Sequence, residues 1–375
     1  STTWRDIKIH QFWNAADARW NAYAYVVADS ATNGLVIIDL TELPHRVFRS
    51  GAFTNKFRSA HNVILTNIES STGLALDNAM PSLIIAGANT NGGRFRSYAL
   101  DIPSIPTEIA VANGTGLYMH DAASLVVTDS RKDQCQNETT VYCELLFDFN
   151  EGSIVVWDIT NQATPFMLSE TTYAGVSYTH SGWVTEDGQY LFVHDELDEG
   201  NTVANTTVRV FSLADATSPL FVNSWVSNNV TTDHNGFVRG NRYFMSNYTR
   251  GVTILDITDP ATPTDVGLTI LDISNPGVPS EAGYLDTYSL SDGGSPFAGV
   301  WGAYPFFPSG NIAISDIGSG VHMLRDTSLD VVAGSFSFSQ NAFGAVEGDD
   351  VVLTVRRNGG SVGVVSVDYT LVPGT

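Results

Sequence analysis

Residues 251–263 read GVTILDITDPATP: a glycine, the run Val252, Thr253, Ile254 and Leu255, an Asp, a short polar turn and a closing proline. The run has the composition of a strand, and Asp259-Pro260 is a turn signal. The phrase recurs at 34–44 (GLVIIDLTELP), 96–106 (RSYALDIPSIP), 152–165 (GSIVVWDITNQATP), 207–219 (TVRVFSLADATSP) and 267–279 (GLTILDISNPGVP), with a clipped copy at 320–326 (GVHMLRD). One strand and one turn returning roughly every 45 to 60 residues is the pattern of a solenoid or a propeller, not of separate domains.

An earlier strand precedes most copies and opens in a consistent way: WRDIKIH (4–10), AHNVIL (60–65), MHDAASLV (119–126), THSGWV (179–184), DHNGFV (233–238) and AGVWGAY (298–304). With Asp6, His61, His120, His180, His234 and Trp301 as markers, the spacings are 55, 59, 60, 54 and 67 residues. That leaves room for about four short strands per unit, a propeller blade. Second strands are also legible: YAYVVAD (23–29), PSLIIAGA (81–88), CELLFDF (143–149), YLFVHDE (190–196), RYFMSNY (242–248) and NIAISDI (311–317). The expectation is an all-β propeller of six recognisable units over 1–330. In the fifth unit the phrase is doubled, which fits the long spacing of 67. From 331 to 375 both openings and proline-ended phrases stop and period-2 strands take over, marking a C-terminal β extension.

At 375 residues, with 15% charged and 11% aromatic residues, the composition is that of a globular β protein. Eighteen basic residues against 40 acidic give a net charge of −22, which argues against nucleic acid and anionic membrane as partners and is compatible with bound divalent cations. No apolar run approaches the roughly 20 residues of a membrane span. A start at Ser1 without a leader is what a processed chain is expected to show. The seven residues between Cys135 and Cys143 suit a hairpin disulfide better than a metal knuckle. Five glycosylation sequons, at Asn113, Asn137, Asn205, Asn229 and Asn247, add to an expectation of a secreted or cell-surface glycoprotein.

The AHN, YTHSGW, DELDE and DHN stretches, with TWRDIKI (3–9), TEDGQYLFVHDELDE (185–199), LDTYSLSDG (285–293) and YPFFPSGNIAISDI (304–317), resemble the choice-of-anchor B family of secreted proteins with LVIVD-type repeats. The resemblance runs from Thr3 to about Asp326 and extends to the spaced cysteine pair. It implies a propeller, of seven blades in that family, delivered outside the cell, and no established activity. Residues 335–370 resemble the first half of a Calx-β domain, a fold that often binds calcium.

In a propeller the first strand of each blade lines the channel, so one repeat position becomes one ring at one mouth. His61, His120, His180 and His234 are therefore expected to converge, with Asp6 and Asp121 beside them and Asn62, Asp233 and Asn235 near. Neutral imidazoles with carboxylates suit Zn²⁺, Mn²⁺ and similar ions. The plain alternative is that polar residues at blade starts bond backbone groups of neighbouring blades. A second candidate is HDELDEGN, where Asp195, Glu196, Asp198 and Glu199 offer oxygen ligands to Ca²⁺ without the spacing of an EF-hand loop; a solvated acidic turn is the alternative. Trp4, Arg5, Tyr178, Trp183, Trp301 and Tyr304 cluster near the same openings, either as packing or as a polysaccharide or acid–base surface. No nucleophile elbow, phosphate loop, dinucleotide fingerprint or HExxH motif is present. Two functions are compatible with these features. One is a binding, adhesion or surface-assembly module, with polysaccharide, a surface protein or further copies as partners and a metal at the mouth. The other is a metal-dependent or His/Tyr acid–base lyase or hydrolase acting on extracellular polysaccharide.

Overall fold

The structure, a computed structural model, describes every residue except 1–4, 77–79, 114–117, 137–140, 200, 266–269, 273–279, 284–286, 289–296, 326–334, 339–352, 354, 359–364 and 371–375. Its strands form six blades arranged as a propeller. Blade 1 is β1 (Arg5–Asn14), β2 (Arg19–Ala28), β3 (Leu35–Asp39) and β4 (Phe48–Phe53). Blade 2 is β5 (Asn62–Thr66), β6 (Ser82–Ala86), β7 (Arg96–Ala99) and β8 (Thr107–Val111), and blade 3 is β9 (Asp121–Val127), β10 (Cys143–Phe149), β11 (Ile154–Asp158) and β12 (Phe166–Thr171). Blade 4 is β13 (Thr179–Val184), β14 (Tyr190–Asp195), β15 (Thr207–Ser212) and β16 (Leu220–Val226). Blade 5 is β17 (Gly236–Arg239), β18 (Arg242–Ser246), β19 (Val252–Asp256) and β20 (Thr264–Asp265). Each is an antiparallel meander in chain order. Blade 6 has three described strands, β23 (Val300–Tyr304), β24 (Asn311–Asp316) and β25 (Gly320–Arg325).

The described part of the doubled phrase after blade 5, Ile270–Asp272, lies outside the blades. β21 (Ile270–Asp272) pairs with β22 (Ser280–Gly283) as a separate two-stranded sheet, an insertion that accounts for the long spacing. In the C-terminal extension, β26 (Ser335–Phe338) and β27 (Val355–Asn358) likewise pair only with each other. The seven blades implied by the resemblance are therefore six here.

Sequence periodicity explains how blades stack. Side chains alternate across a strand, so a blade sandwiched between two others needs apolar residues at odd and even positions alike. In β10, Leu145 and Phe147 pack toward blade 4 while Leu146 packs toward blade 2. In β18, Tyr243 and Met245 join the core with blade 4 and Phe244 the core with blade 6. This is why the second strands read as nearly continuous hydrophobic runs. Cys135, after a short 3-10 turn (Ser130–Gln134), is disulfide-bonded to Cys143 at the start of β10, as the spacing predicted. Asn247 is fully buried and its amide donates to the Thr231 and Thr232 carbonyls at 3.1 and 2.9 Å, so that sequon cannot carry a glycan in the folded protein.

Candidate metal centre

The marker histidines form an arc at one mouth of the channel. Ring centroids lie 4.1 Å apart for His61 and His120, 4.3 Å for His120 and His180, and 4.5 Å for His180 and His234, and Trp301 continues the arc at 4.3 Å from His234. Repeat equivalence thus places all five as expected. Part of the arc is a stitch between blades. Asn62 Nδ2 donates to the His120 carbonyl (3.0 Å), His120 Nδ1 to the His180 carbonyl (3.0 Å), Ser181 Oγ to the His234 carbonyl (2.7 Å) and His234 Nδ1 to the Trp301 carbonyl (2.6 Å). Each carbonyl at a blade opening is satisfied by the preceding blade, as buried backbone requires.

Because Ser181 bonds the His234 carbonyl, His180 has no such bond. Its Nδ1 is buried without a hydrogen-bond partner. Its Nε2 lies 3.6 Å from Glu196 Oε2, and His234 Nε2 lies 3.9 Å from Glu196 Oε1. His180, Glu196 and His234 are the one set of three metal-type ligands among the described residues whose ligand atoms all fall within 4.8 Å of one another. A first-row cation with bonds of about 2.0–2.2 Å holds its ligands roughly 3–3.5 Å apart, within reach of small side-chain rotations from this arrangement.

Local structure fixes the carboxylate. Glu196 is the first residue after β14, and Tyr248 OH donates to its Oε1 at 2.5 Å. Tyr248 itself is fully buried at φ 39°, a left-handed conformation that costs a tyrosine free energy, and such strain clusters at functional sites. Its carbonyl accepts from Val300 N (2.9 Å). Gly299, at φ +92°, is required beside it, since a Cβ there would lie 2.4 Å from the Tyr248 oxygen.

Electrostatics favour neutral imidazoles. Burial drives His180 well below the usual histidine pKa, and the neighbouring histidines push it further down. Burial likewise pushes His234 down to about 3, against the bond to the Trp301 carbonyl. Burial raises Glu196 to about 7, opposed by the Tyr248 bond and the charge on His61. Two ring nitrogens are thus already in the form a metal needs, and a cation would supply the charge that Glu196 lacks a partner for. His61 differs: burial opposes its protonation, but the 2.6 Å bond to Asp29, with Asp121 and Asp6 near, raises its pKa overall.

Other expected ligands are committed elsewhere. Asp6 Oδ2 accepts from Val63 N (3.1 Å) and pairs with Lys8 at 2.6 Å, and Asp121 Oδ1 accepts from Ala122 N (2.7 Å). Neither bonds a marker histidine. The HDELDE stretch is not a solvated turn, for His194, Asp195 and Asp198 are all fully buried. Asp195 accepts from Tyr173 OH and from the backbone of Ser177 and Tyr178, Asp198 pairs with Arg209, and His194 hydrogen-bonds Asp233 through Nδ1 (2.5 Å) and Tyr243 OH through Nε2 (2.6 Å). These bonds hold the stretch that presents Glu196, and they leave Asp195 and Asp198 outside the converging set. Asp29, Glu151 and Tyr248 were missed in the sequence. All three lie just past second strands, β2, β10 and β18, as Glu196 does past β14, and each meets the opening of the next blade: His61, Tyr178 and Val300 respectively. Repeat position, applied to the ends of second strands, was the available signal.

Two stretches of the chain, 21–45 and 263–287, match the LVIVD repeat. No curated protein matches the sequence. Among solved structures, a protein from Lactobacillus plantarum is similar at 11% identity, over 93% of this chain and 81% of that one, with a TM-score of 0.53. A candidate 6-phosphogluconolactonase from Bacteroides uniformis is similar at 10% identity, over 83% of this chain and 77% of that one, with a TM-score of 0.49. At such identities the likeness shows the fold alone: the chain is an all-β, six-bladed propeller containing LVIVD repeats.

Proposed function

We propose that this propeller is an extracellular or cell-surface binding module whose channel mouth holds one divalent transition metal on His180, Glu196 and His234. The convergence of two buried, neutral imidazoles and one carboxylate carries this reading. Two nitrogens and one oxygen suit Zn²⁺ or Mn²⁺; Ca²⁺ prefers an all-oxygen shell, which the committed Asp195 and Asp198 do not supply. The hydrogen bond from His234 Nδ1 to a carbonyl and that from Tyr248 to Glu196 are the outer contacts that orient metal ligands. A disulfide and the absence, among described residues, of a helix long and apolar enough to cross a membrane agree with display outside the cell. Three protein ligands leave coordination positions open for a donor group of a partner, such as a polysaccharide hydroxyl or a surface-protein side chain.

The same open positions, with Tyr248 on Glu196 and Tyr178 OH 2.8 Å from Glu151, favour a second reading as an acid–base enzyme on polysaccharide. Titrating metal-free protein with Zn²⁺ and Mn²⁺ by calorimetry tests the metal. One site per chain is expected in the native protein and none after Glu196→Gln; equal binding by both proteins refutes it. Incubating the loaded protein with polysaccharides then separates the readings: retention without chain cleavage supports the binding module, and released fragments support the enzyme.

A further inference from the structure

Five seams of the propeller are filled by cores shared between consecutive blades, from Tyr25, Ile37 and Leu83 at the first to Phe244, Ile254 and Ile312 at the fifth. Between blade 6 and blade 1 the described residues form no core. Among the described residues the two inner strands there are tied at one end, by the loop after β5: Gly73 carbonyl accepts from Gln11 N (2.9 Å), and Ser70 carbonyl from Tyr304 OH (2.7 Å).

Both walls of this seam nonetheless carry exposed apolar side chains. Strand register puts Ile7 and Ile9 on one face of blade 1 with Val26, Val36 and Ile38, opposite the Tyr25 and Ile37 face that packs on blade 2. Ile7 and Ile9 are 52% and 48% exposed. On blade 6, Leu324 turns toward the core with blade 5, while Val321 and Met323 point the other way and are 75% and 55% exposed. In the other five seams equivalent faces are covered by a β-sheet, so what fits here is also a sheet with an apolar face.

The chain carries such a sheet. In the β26–β27 pair, Phe336 lies opposite Arg357 and Phe338 opposite Val355, so Phe336, Phe338, Val355 and the half-buried Arg357 share one face, on which the three apolar side chains are exposed. A two-stranded sheet is marginal by itself and needs a surface to pack on. Nine residues separate Arg325 from Ser335, a connection that spans up to roughly 30 Å. We infer that β26–β27 docks in the open seam of its own molecule, laying Phe336, Phe338 and Val355 on the Ile7 and Ile9 face of blade 1 and joining it to blade 6. A short tether gives the tail a high effective concentration, whereas a second copy of a chain with net charge −22 is repelled. This inference is independent of the metal.

Photocrosslinking in the full chain tests it. A benzoyl-phenylalanine replaces Ile9 in one variant and Val321 in another, both exposed positions, with Leu220 on the outer strand of blade 4 as the comparison site. Irradiation followed by digestion and mass spectrometry is expected to join position 9 or 321 to the 335–358 region within monomeric protein, and position 220 to none of it. Crosslinks confined to dimer-sized species would assign the seam to a second copy and overturn the inference. Absence of any crosslink to the tail in both seam variants, with circular dichroism of the native protein retained, would overturn it equally.

Discussion

Glu144 on β10 is the clearest case of a residue whose environment opposes its charge. It is almost fully buried with Oε1 lacking a hydrogen-bond partner, and burial, outweighing the nearby polar groups of Asn67, Thr66 and Gln162, pushes its pKa up from 4.5 to about 7. The folded protein therefore keeps a proton that the unfolded chain releases, so this group's contribution to stability falls as pH rises from about 4.5 to 7 and stays lost above. At about 1.4 kcal/mol per pH unit, the loss is on the order of 3 kcal/mol. Glu144→Gln keeps the shape without the charge. Its stability relative to the native protein is expected to improve by that order between pH 4.5 and pH 8 in denaturant melts; a pH-independent difference contradicts the assignment. Residues of this kind were illegible in the sequence because charge reads as surface. The HDELDE stretch shows it again: five titratable side chains within six residues look solvated, yet Arg209 bonds Asp198, Tyr173 bonds Asp195 and Tyr243 of the neighbouring blade bonds His194, all three buried.

Elements were read more reliably than their partners. The proline-ended phrase marks β3, β7, β11, β15, β19 and, in clipped form, β25, and every second strand anticipated from its hydrophobic run is present. The hidden part is what crosses seams, since a repeat fixes a residue's height and radius but not which atom of the next blade it meets. Asn62 is an example: Asn62→Ala leaves the His120 carbonyl unbonded in a buried seam, and a cost of about 1–3 kcal/mol in unfolding free energy is expected with metal affinity unchanged. Gly299→Ala acts on the other side of the mouth. Its Cβ would collide with the Tyr248 carbonyl, so Tyr248 and with it Glu196 must shift, and metal affinity is expected to fall along with stability. Calorimetric affinity equal to the native value for Gly299→Ala would show that Tyr248 does not position the carboxylate.

At the scale of the molecule, the propeller turns a repeat position into a ring, and two chemistries share it. His120, with Asn62 and Ser181, serves as backbone stitching; His180 and His234, joined by Glu196, form a corner where ligand atoms converge. The proposed ion rests on two of the four marker histidines, because among the described residues only His180, Glu196 and His234 bring their ligand atoms within 4.8 Å of one another. Metal bound only by the folded chain stabilises it by mass action, about 2.7 kcal/mol at 100 times the dissociation constant, so the melting temperature should rise with Zn²⁺ or Mn²⁺ and not after His180→Ala with His234→Ala. The decisive measurement is an anomalous difference map from crystals grown with Zn²⁺ or Mn²⁺, collected on either side of the metal's absorption edge. One peak at about 2.0–2.2 Å from nitrogen atoms of His180 and His234 and an oxygen of Glu196 is the expected result. An empty corner, or a peak held instead by His61 and Asp29, would contradict it.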